Sequence, residues 1–398
     1  RSKEGAKSMN IEMLDAYEPL KKDELKEALD LIVTQSRFSI DRFKEGFKHI
    51  FSTNNFYTPA ENNQWTNGFY TGQLWLAYEL SGDEFFRQVA EAHVKSFRER
   101  IDNGIATDTH DLGFLYSLSC VAAYKLTGDK FAKETALLAA DQLLRRFHEV
   151  GQFIQAWGSL ENKENYRLII DCLLNLPLLY WASEATGKAI YRVKAEAHIH
   201  TSVKVLFRPD YSAYHTFYFN PETGEPDRGE THQGYSADSA WARGQAWGVY
   251  GLALSYRYTK NSDYLTLFEG VLGYFLSHLE GDLIPYWDFV FEEGSDEERD
   301  SSALAIVVCG LLEMVQYVNE ELSVRYQKLA SILSRALIIR CGVTSQEESD
   351  GLLLHGVYGK KTPYNDCKNH GIDECNLWGD YFYAEALVRQ AGAWTPYW

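Results

Sequence analysis

The chain has 398 residues, and its 56 acidic against 39 basic side chains give it a formal net charge of −17 at pH 7. A protein this negative repels a phosphate backbone, so the composition excludes general nucleic-acid binding, and an anionic ligand needs a local cationic pocket. No apolar run approaches the length of a membrane span and no apolar signal segment precedes the first helix, so we expect no membrane partner.

Residues 1–8, RSKEGAKS, resemble an expression-tag remnant ahead of Met9, and we predict that residues 9–398 form one domain. Three of the six cysteines lie in apolar helical runs, where Cys behaves as a small hydrophobe. The set therefore predicts reduced thiols and a cytoplasmic location. Cys367, His370 and Cys375 lack a fourth ligand at zinc-like spacing, so we predict no metal site.

Six apolar segments recur along the chain, each with the length of a helix of about 14 to 18 residues that is buried on most sides. They cover 68–80, 111–126, 171–185, 243–258, 301–318 and 378–392. The first four are followed by short turns whose residues suit the end of one helix and the cap of the next. These turns begin at Ser81, Thr127, Thr186 and Lys260. Asp300 is predicted to cap the fifth segment.

A more polar, amphipathic helix is predicted beside each apolar one. These partners cover 23–43, 84–100, 130–150, 189–207, 264–279 and 323–340. Six buried helices inside six half-exposed ones predict an all-α, single-domain (α/α)6 barrel. The alternative, an open helical solenoid, rarely makes every second helix apolar on all sides. No segment shows the alternating pattern of a convincing strand.

The connections that lead into the apolar helices carry the unusual residues. The longest, 208–242, is too aromatic to be disordered, and long loops in a compact domain are usually functional. If all inner helices point the same way, these loops gather at one face of the barrel. The helix N-termini at that face are partly positive and favour an anionic ligand.

Asp171 stands inside an apolar run, Leu168 to Trp181, that we predict to be a buried helix. Burying a lone carboxylate raises its pKa unless a partner compensates, and a protonated Asp at neutral pH suits general acid catalysis. Asp111 opens the preceding inner helix, so two carboxylates could divide the acid and base roles across a pocket. From the residues alone, each Asp could instead be an N-cap. His110 could orient Asp111, touch the substrate or have no role.

Further candidates lie in the loops ahead of the inner helices. Trp65 and Trp157 are placed to stack on a pyranose ring, or to anchor their loops to the core. Arg243 is the best candidate for holding a carboxylate, because its guanidinium donates two parallel hydrogen bonds; the alternative is a salt bridge to a surface acid. The remaining candidates of this region are His215, Gln233 and Trp247.

The order of these motifs closely resembles that of the unsaturated glucuronyl hydrolases, family 88 of the glycoside hydrolases. The motifs are WTNGF (65–69), THDLGF (109–114), the Asp171 segment DCLLNLPLLYWAS, the spacing H-x17-Q-x9-R-x3-W from His215 to Trp247, and WGDYFYAEAL (378–387). The resemblance covers essentially the whole chain from Met9. It implies an (α/α)6 barrel acting on lyase-generated oligosaccharides that carry a 4-deoxy-4,5-unsaturated uronic acid at the non-reducing end.

The resemblance also implies the chemistry of a bacterial glycosaminoglycan-degrading enzyme, with substrates from chondroitin, hyaluronan or heparin. Asp171 protonates C4 of the enol ether and then helps water add at C5, and Asp111 supports it. Substrate-binding roles fall to Trp65, His110, Trp157, His215, Gln233, Arg243 and Trp247. Neither a metal nor a cofactor is needed, because protonation supplies the electrophile.

Three alternatives stay open at this point. An unsaturated rhamnogalacturonyl hydrolase would share the barrel and the hydration but act on pectin fragments. A barrel-type epimerase would need paired histidines, and a non-catalytic sugar-binding toroid would use its acids only as caps. Lys360, Lys361 and Lys368 form either a sulfate contact or a solvated basic turn. The oligomeric state cannot be inferred from the sequence.

Overall fold

The computed structural model describes residues 15–398, so the predicted tag remnant, residues 1–8, lies outside the described range. Within that range the chain forms twelve helices, one of which, α4, joins three helical stretches. These are Leu112–Tyr116, the π-helical turn Ser117–Val121 and Ala122–Thr127. The other helices are α1 Lys22–Phe43, α2 Asn67–Ser81, α3 Glu84–Asp102, α5 Lys130–Leu144, α6 Leu176–Thr186, α7 Ile190–Val205, α8 Ala242–Thr259, α9 Ser262–Ser277, α10 Ser301–Met314, α11 Glu320–Cys341 and α12 Leu377–Ala391.

The even-numbered helices form an inner ring, in which each packs against the next and α12 packs against α2. The odd-numbered helices pack on the outside of this ring, each against an inner helix. Inner helices such as α8 and α10 are buried almost along their whole length, whereas the outer helices bury one face. This arrangement confirms the all-α (α/α)6 barrel. We propose that residues 15–398, the described part of the predicted domain 9–398, form a single domain, because one hydrophobic core runs through both rings.

The turns between inner and outer helices form as their residues predict. Inner helices α2, α4, α6 and α8 end in the left-handed conformation. The residues that adopt it are Gly82, Gly128, Gly187 and Lys260. Each following helix except α7 is then capped by a side chain that accepts a backbone N–H. The capping residues are Asp83, Asp129 and Asn261.

The third inner helix is shorter than predicted, because the apolar run from Leu168 to Trp181 is not one helix. Its first part is a strand, Arg167–Ile169, followed by a 3-10 turn, Ile170–Leu174, and α6 begins only at Leu176. Pro177 has no N–H to bond a carbonyl four residues earlier, so it fits the first turn of a helix and not its interior. Asp171 consequently lies in a tight turn ahead of α6.

Short strands that the sequence analysis did not identify also occur, because residues 15–398 contain nine of them in four antiparallel sheets. The pairs are β1 Phe47–Lys48 with β2 Pro59–Ala60, β3 Phe147–His148 with β4 Phe153–Ile154, and β8 Gly356–Gly359 with β9 His370–Glu374. The largest sheet joins β5 Arg167–Ile169, β6 Thr216–Phe219 and β7 Pro226–Glu230. Strands this short cannot show an alternating pattern. The β5–β6 pairing ties the Asp171 turn to the long loop 208–242.

Two helix ends also differ from the prediction. The segment predicted as 130–150 ends at Leu144, because Phe147–His148 turns back to pair as a strand. The segment predicted as 301–318 ends at Met314. Between residues 15 and 398 no helix combines the length and apolar character needed to cross a membrane. All six cysteines are buried and none forms a disulfide.

Candidate active site

Three predicted residues, His110, Asp111 and Asp171, come together where the connections lead into α4 and α6. The His110 Nε2 atom lies 3.0 Å from Asp171 Oδ1 and 3.3 Å from Asp111 Oδ1. The His110 side chain is almost completely buried, whereas 18% of the Asp171 side chain remains exposed. The imidazole therefore bridges two carboxylates, of which Asp171 is the more exposed.

Asn175 fixes the position of the Asp171 turn relative to the start of α4. Its Oδ1 accepts the backbone N–H of Phe114 at 2.7 Å, and its Nδ2 donates to the carbonyl of Asp171 at 3.1 Å. Gly113 makes this contact possible, because a Cβ there would lie 2.3 Å from the Asn175 Cα. The Asn175 side chain thus holds the segments of the two catalytic candidates together through their backbone groups.

Neither Asp111 nor Asp171 serves as a helix N-cap. Asp111 occupies the residue before α4 but makes no capping bond, and its Oδ2 accepts the Thr109 hydroxyl at 2.9 Å. Within residues 15–398 no backbone N–H donates to the Asp171 carboxylate. Asp300 shows the contrast, since it caps α10 by accepting the Ser302 N–H at 3.1 Å, as its position predicts. The structure thus leaves the carboxylates of Asp111 and Asp171 directed at His110.

Burial raises the pKa of the Asp171 carboxyl, and although the His110 cation opposes this shift, the negative charge of Asp111 adds to it. Burial lowers the pKa of His110, but the carboxylates of Asp171 and Asp111 outweigh it, so the pKa lies well above its ordinary value. The two shifts favour the charged imidazolium of His110 and the protonated form of Asp171, each relative to an ordinary side chain of its type. These three residues have the spacing of metal ligands, with one donor atom of each within 4.8 Å of the others. A protonated imidazole is a poor metal ligand, so the electrostatics favour proton transfer by these residues over metal binding. The absence of a metal stays a prediction.

Trp65 forms one aromatic wall with Trp378 and Tyr358, neither of which was predicted as a site residue. Its ring stacks on Trp378 with centroids 5.1 Å apart, and its Nε1 donates to the Tyr358 hydroxyl at 3.0 Å. Tyr358 in turn stacks on His370 at 4.1 Å. Trp378 belongs to the motif WGDYFYAEAL, whereas Tyr358 lies in β8, a strand without a sequence signal.

Trp157 forms a second aromatic surface, one face of which is covered. The Arg167 guanidinium lies 4.2 Å from the ring centroid and donates to the Tyr218 hydroxyl at 2.7 Å. His232 meets the same ring edge-on at 5.7 Å. The Arg167 guanidinium therefore covers one face of the Trp157 ring and leaves the opposite face without a cation. A cation at the start of an apolar run is the signal by which Arg167, like Asp171, could have been identified.

His215 is buried next to the segment that carries Gln233. Its Nδ1 accepts the backbone N–H groups of His232 at 2.9 Å and Gln233 at 3.2 Å. Burial and the positive charges around it lower the pKa of His215 well below its ordinary value. The ring is therefore neutral, and because Nδ1 accepts, the proton resides on Nε2.

Arg243 is buried, and most of its guanidinium is already occupied. Nη2 donates to the carbonyls of Val357 at 3.0 Å and Tyr358 at 2.6 Å, and Nε lies 3.5 Å from Asp300 Oδ2. Nη1 is directed toward Gln233 Oε1 at 3.4 Å. The rings on either side of the guanidinium are Trp241 and Trp378. The fork predicted to hold a carboxylate thus faces the backbone, and its acidic partner is buried rather than on the surface.

Trp247 and Lys360 are placed differently from their predicted roles, whereas two other lysines of the loop 359–369 are exposed. Trp247 is fully buried against Phe114 and Phe382, so the structure gives it no free face for stacking. Lys360 is paired with two glutamates, with Nζ 2.7 Å from Glu297 Oε2 and 2.6 Å from Glu298 Oε2. The exposed lysines of the loop are Lys361 and Lys368.

Known proteins resemble this chain over nearly its whole length. The sequence profile of Glycosyl Hydrolase Family 88 matches residues 39–379. The unsaturated chondroitin disaccharide hydrolase of Streptococcus pneumoniae is 47% identical over 95% of each chain. The crystal structure of an unsaturated glucuronyl hydrolase from Streptococcus agalactiae superposes with a TM-score of 0.91, at 47% identity, over 96% of this chain and 95% of that one. An aspartate-to-asparagine variant of unsaturated glucuronyl hydrolase from that organism, complexed with dGlcA-GalNAc6S, superposes with a TM-score of 0.86, at 43% identity, over 98% of this chain and 97% of that one.

Proposed function

This chain belongs to glycoside hydrolase family 88, and we propose that it removes the 4-deoxy-4,5-unsaturated uronic acid from the non-reducing end of lyase-generated glycosaminoglycan oligosaccharides. One observation carries the proposal. The Asp171 carboxyl is largely buried, has a raised pKa and lies 3.0 Å from His110 Nε2, so its position and environment suit a proton donor.

The chemistry that suits this acid is hydration of the C4=C5 enol ether. Asp171 delivers its proton to C4, and the positive charge that develops at C5 is shared with the ring oxygen. The carboxylate left on Asp171 then accepts a proton from water as the water oxygen bonds to C5. The hemiketal formed opens by breaking the bond between C5 and the ring oxygen, which leaves a ketone at C5. The hemiacetal at C1 then expels the partner sugar, which takes up a proton, and an open-chain keto acid remains.

His110 and Asp111 tune this acid rather than touch the double bond. Because His110 lies between the two carboxylates, its positive charge stabilises the Asp171 carboxylate once the proton has left. Asp111 keeps His110 protonated and in place, and Thr109 fixes the Asp111 carboxylate in turn. A catalytic unit of three residues therefore cycles between two protonation states without losing its geometry.

The walls around this unit supply substrate binding. Trp65 and the free face of Trp157 offer flat apolar surfaces for sugar rings. The uronate carboxylate is held beside Gln233 and Arg243. Arg243 Nη1 is directed toward Gln233 Oε1 there, and the buried guanidinium supplies the positive charge. His215, with its proton on Nε2, adds a neutral donor. Trp247 contributes from beneath, as packing for Phe114.

The substrate class rests on the relatives named above, which act on an unsaturated chondroitin disaccharide or are unsaturated glucuronyl hydrolases. A small unsaturated oligosaccharide is therefore the partner of this site. The six cysteines, none of which forms a disulfide, support a cytoplasmic location. There the active site would receive disaccharides after their import. Nothing in the site favours pectin fragments or a binding-only role.

The test is to supply unsaturated disaccharides from hyaluronan, chondroitin and pectin and to follow the ultraviolet absorbance of the conjugated double bond. We expect the absorbance to fall with the two glycosaminoglycan substrates and to stay constant with the pectin-derived one. Turnover of the pectin substrate alone would move the protein to the rhamnogalacturonyl class. No turnover of any substrate would contradict the proposed function.

A further inference from the structure

The segment 392–398, which follows α12, joins inner helices that are not neighbours in the ring. Lys125, in the last turn of α4, and Tyr258, in the last turn of α8, both donate to the main-chain oxygen of Trp398, at 3.4 Å and 2.9 Å. The same segment donates to Glu79, near the end of α2. The segment therefore lies at the end of the barrel where the inner helices finish, and the catalytic candidates lie where they begin.

The Trp398 side chain enters the barrel from this segment and is completely buried. Its ring stacks on Phe382 of α12 with centroids 5.8 Å apart, and its Nε1 donates to Glu385 Oε1 at 2.7 Å. Glu385 is also fully buried and accepts the hydroxyls of Tyr250 at 2.7 Å and Tyr381 at 2.8 Å. A buried carboxylate with several donors forms a rigid network, so the indole is held in one position.

The indole of Trp398 reaches the first turn of α4 through Phe114. The two rings meet edge-on, with centroids 6.1 Å apart. Phe114 follows Asp111 by three residues, and its N–H donates to Asn175, the residue that also holds the Asp171 turn. The Phe114 ring also lies 5.8 Å from Trp65 in the aromatic wall. One contact with Phe114 thus connects Trp398 to the acids and to the wall.

We propose that Trp398 is a positioning residue for the reaction, which keeps Phe114, and with it the start of α4, in the place that hydration requires. This inference rests on the proposed function, because it concerns the positions of Asp111 and Trp65. Protein interiors are close-packed, so removing a ring that supports Phe114 leaves a space into which its surroundings relax. The indole is wholly buried and acts only through Phe114.

The test measures kcat and KM for an unsaturated chondroitin disaccharide together with thermal unfolding. Trp398→Ala should lower kcat about tenfold, less than the roughly 100-fold cost of a 1 Å displacement of reacting groups, because Phe114 stands between. KM should rise as well, because Trp65 packs on Phe114. The unfolding midpoint should fall by about 4–6 °C, the expected cost of losing a buried Trp in a chain of this length, so the assay is run well below it.

Two further variants separate positioning from stability. Trp398→Phe keeps a ring against Phe114 but loses the donor to Glu385, so kcat should stay within about twofold of the wild type while the midpoint remains lowered. The matched control is Tyr397→Ala, which removes a buried ring of the same segment that packs on Trp394. It should lower the midpoint by a similar amount and leave kcat and KM unaltered.

Hydrogen exchange of the peptide 111–116 gives a readout that does not depend on turnover. The Phe114 N–H should exchange faster in Trp398→Ala than in the wild type, because its bond to Asn175 opens more often. Tyr397→Ala should leave this exchange rate unchanged. If Trp398→Ala does not fold, Trp398→Leu takes its place, since it keeps apolar volume without a ring.

Several outcomes would overturn the inference. A ring-less variant that is less stable but keeps the wild-type kcat and exchange rate would make Trp398 a core residue only. Equal losses of kcat in Trp398→Ala and Tyr397→Ala would assign the effect to general destabilisation. A Trp398→Phe enzyme as slow as Trp398→Ala would refute support by the ring. A wild type that consumes no unsaturated disaccharide would instead refute the proposed function, and the inference with it.

Discussion

The contact between Gly113 and Asn175 predicts that a single methyl group can separate the catalytic residues. In Gly113→Ala the new Cβ would lie 2.3 Å from the Asn175 Cα and 2.6 Å from its carbonyl oxygen. Carbon atoms in contact need about 3.5 Å, so the start of α4 and the Asp171 turn must part by about 1 Å. Neither neighbour is a flexible side chain, so the backbone has to move.

We expect Gly113→Ala to lower the free energy of unfolding by about 1–3 kcal/mol, as overpacking of a core does. A displacement of this size between reacting groups costs about 100-fold in rate, so kcat should fall by that factor. KM should rise as well, because Trp65 packs on Phe114 and Trp157 pairs with Thr109, both next to the displaced start of α4. The assays are the loss of absorbance of an unsaturated disaccharide and thermal denaturation followed by circular dichroism.

The matched control is Gly273→Ala, on the outer helix α9, where a Cβ has no heavy atom within 4 Å. This change should leave kcat unaltered and raise the free energy of unfolding by about 0.5–1 kcal/mol, the advantage of Ala over Gly inside a helix. A Gly113→Ala enzyme with wild-type kcat and wild-type thermal stability would refute the claim that this contact sets the geometry of the site.

Three further predictions concern single side chains around the site. His110→Gln removes a cation that lowers the pKa of Asp171, so the alkaline limb of the kcat–pH profile should move to higher pH. The value of kcat should fall about tenfold, and a limb that moves to lower pH would contradict the assignment of Asp171 as the proton donor. Arg167→Met removes the cation from the Trp157 face and should raise KM about fivefold with little change in kcat, whereas Arg228→Met, at an exposed position of the same sheet, should change neither. Replacing Lys361 and Lys368 together by Ala should lower kcat/KM about fivefold on a sulfated disaccharide only, and an equal effect on unsulfated substrate would remove the sulfate contact.

The sequence predicts the barrel well because its signals are local and repeated. Alternation of apolar and amphipathic helices identifies the two rings, and glycine or asparagine at the helix ends marks the turns between them. The start of the third inner helix is predicted too early, because the prediction follows the apolar content of the segment and neglects the backbone restriction that Pro177 imposes. The short strands are missed since two to five residues carry too little periodicity, and their pairing depends on partners far along the chain, such as Leu168 with Phe217.

The active site is predicted only in part, because some of its contacts depend on residues far apart in the chain. The buried position of Asp171 and the order of motifs locate both acids, but not the shared contact with His110, which requires the packing of two connections. Arg243 shows the limit of residue chemistry, because its guanidinium could hold a carboxylate yet mostly bonds the carbonyls of Val357 and Tyr358. Tyr358 has no motif, and its position near Trp65 follows only from closure of the ring by α12.

The most direct test of the central claim is the rate at which the folded Asp171→Asn enzyme consumes the conjugated double bond of an unsaturated chondroitin disaccharide. Asparagine keeps the shape of the side chain and cannot give a proton to C4. We predict that kcat falls by at least 100-fold, within the range lost with a general acid, while the circular dichroism spectrum and thermal unfolding remain those of a folded barrel. An Asp171→Asn enzyme that is folded and keeps more than about a tenth of the wild-type rate would contradict the assignment of Asp171 as the proton donor.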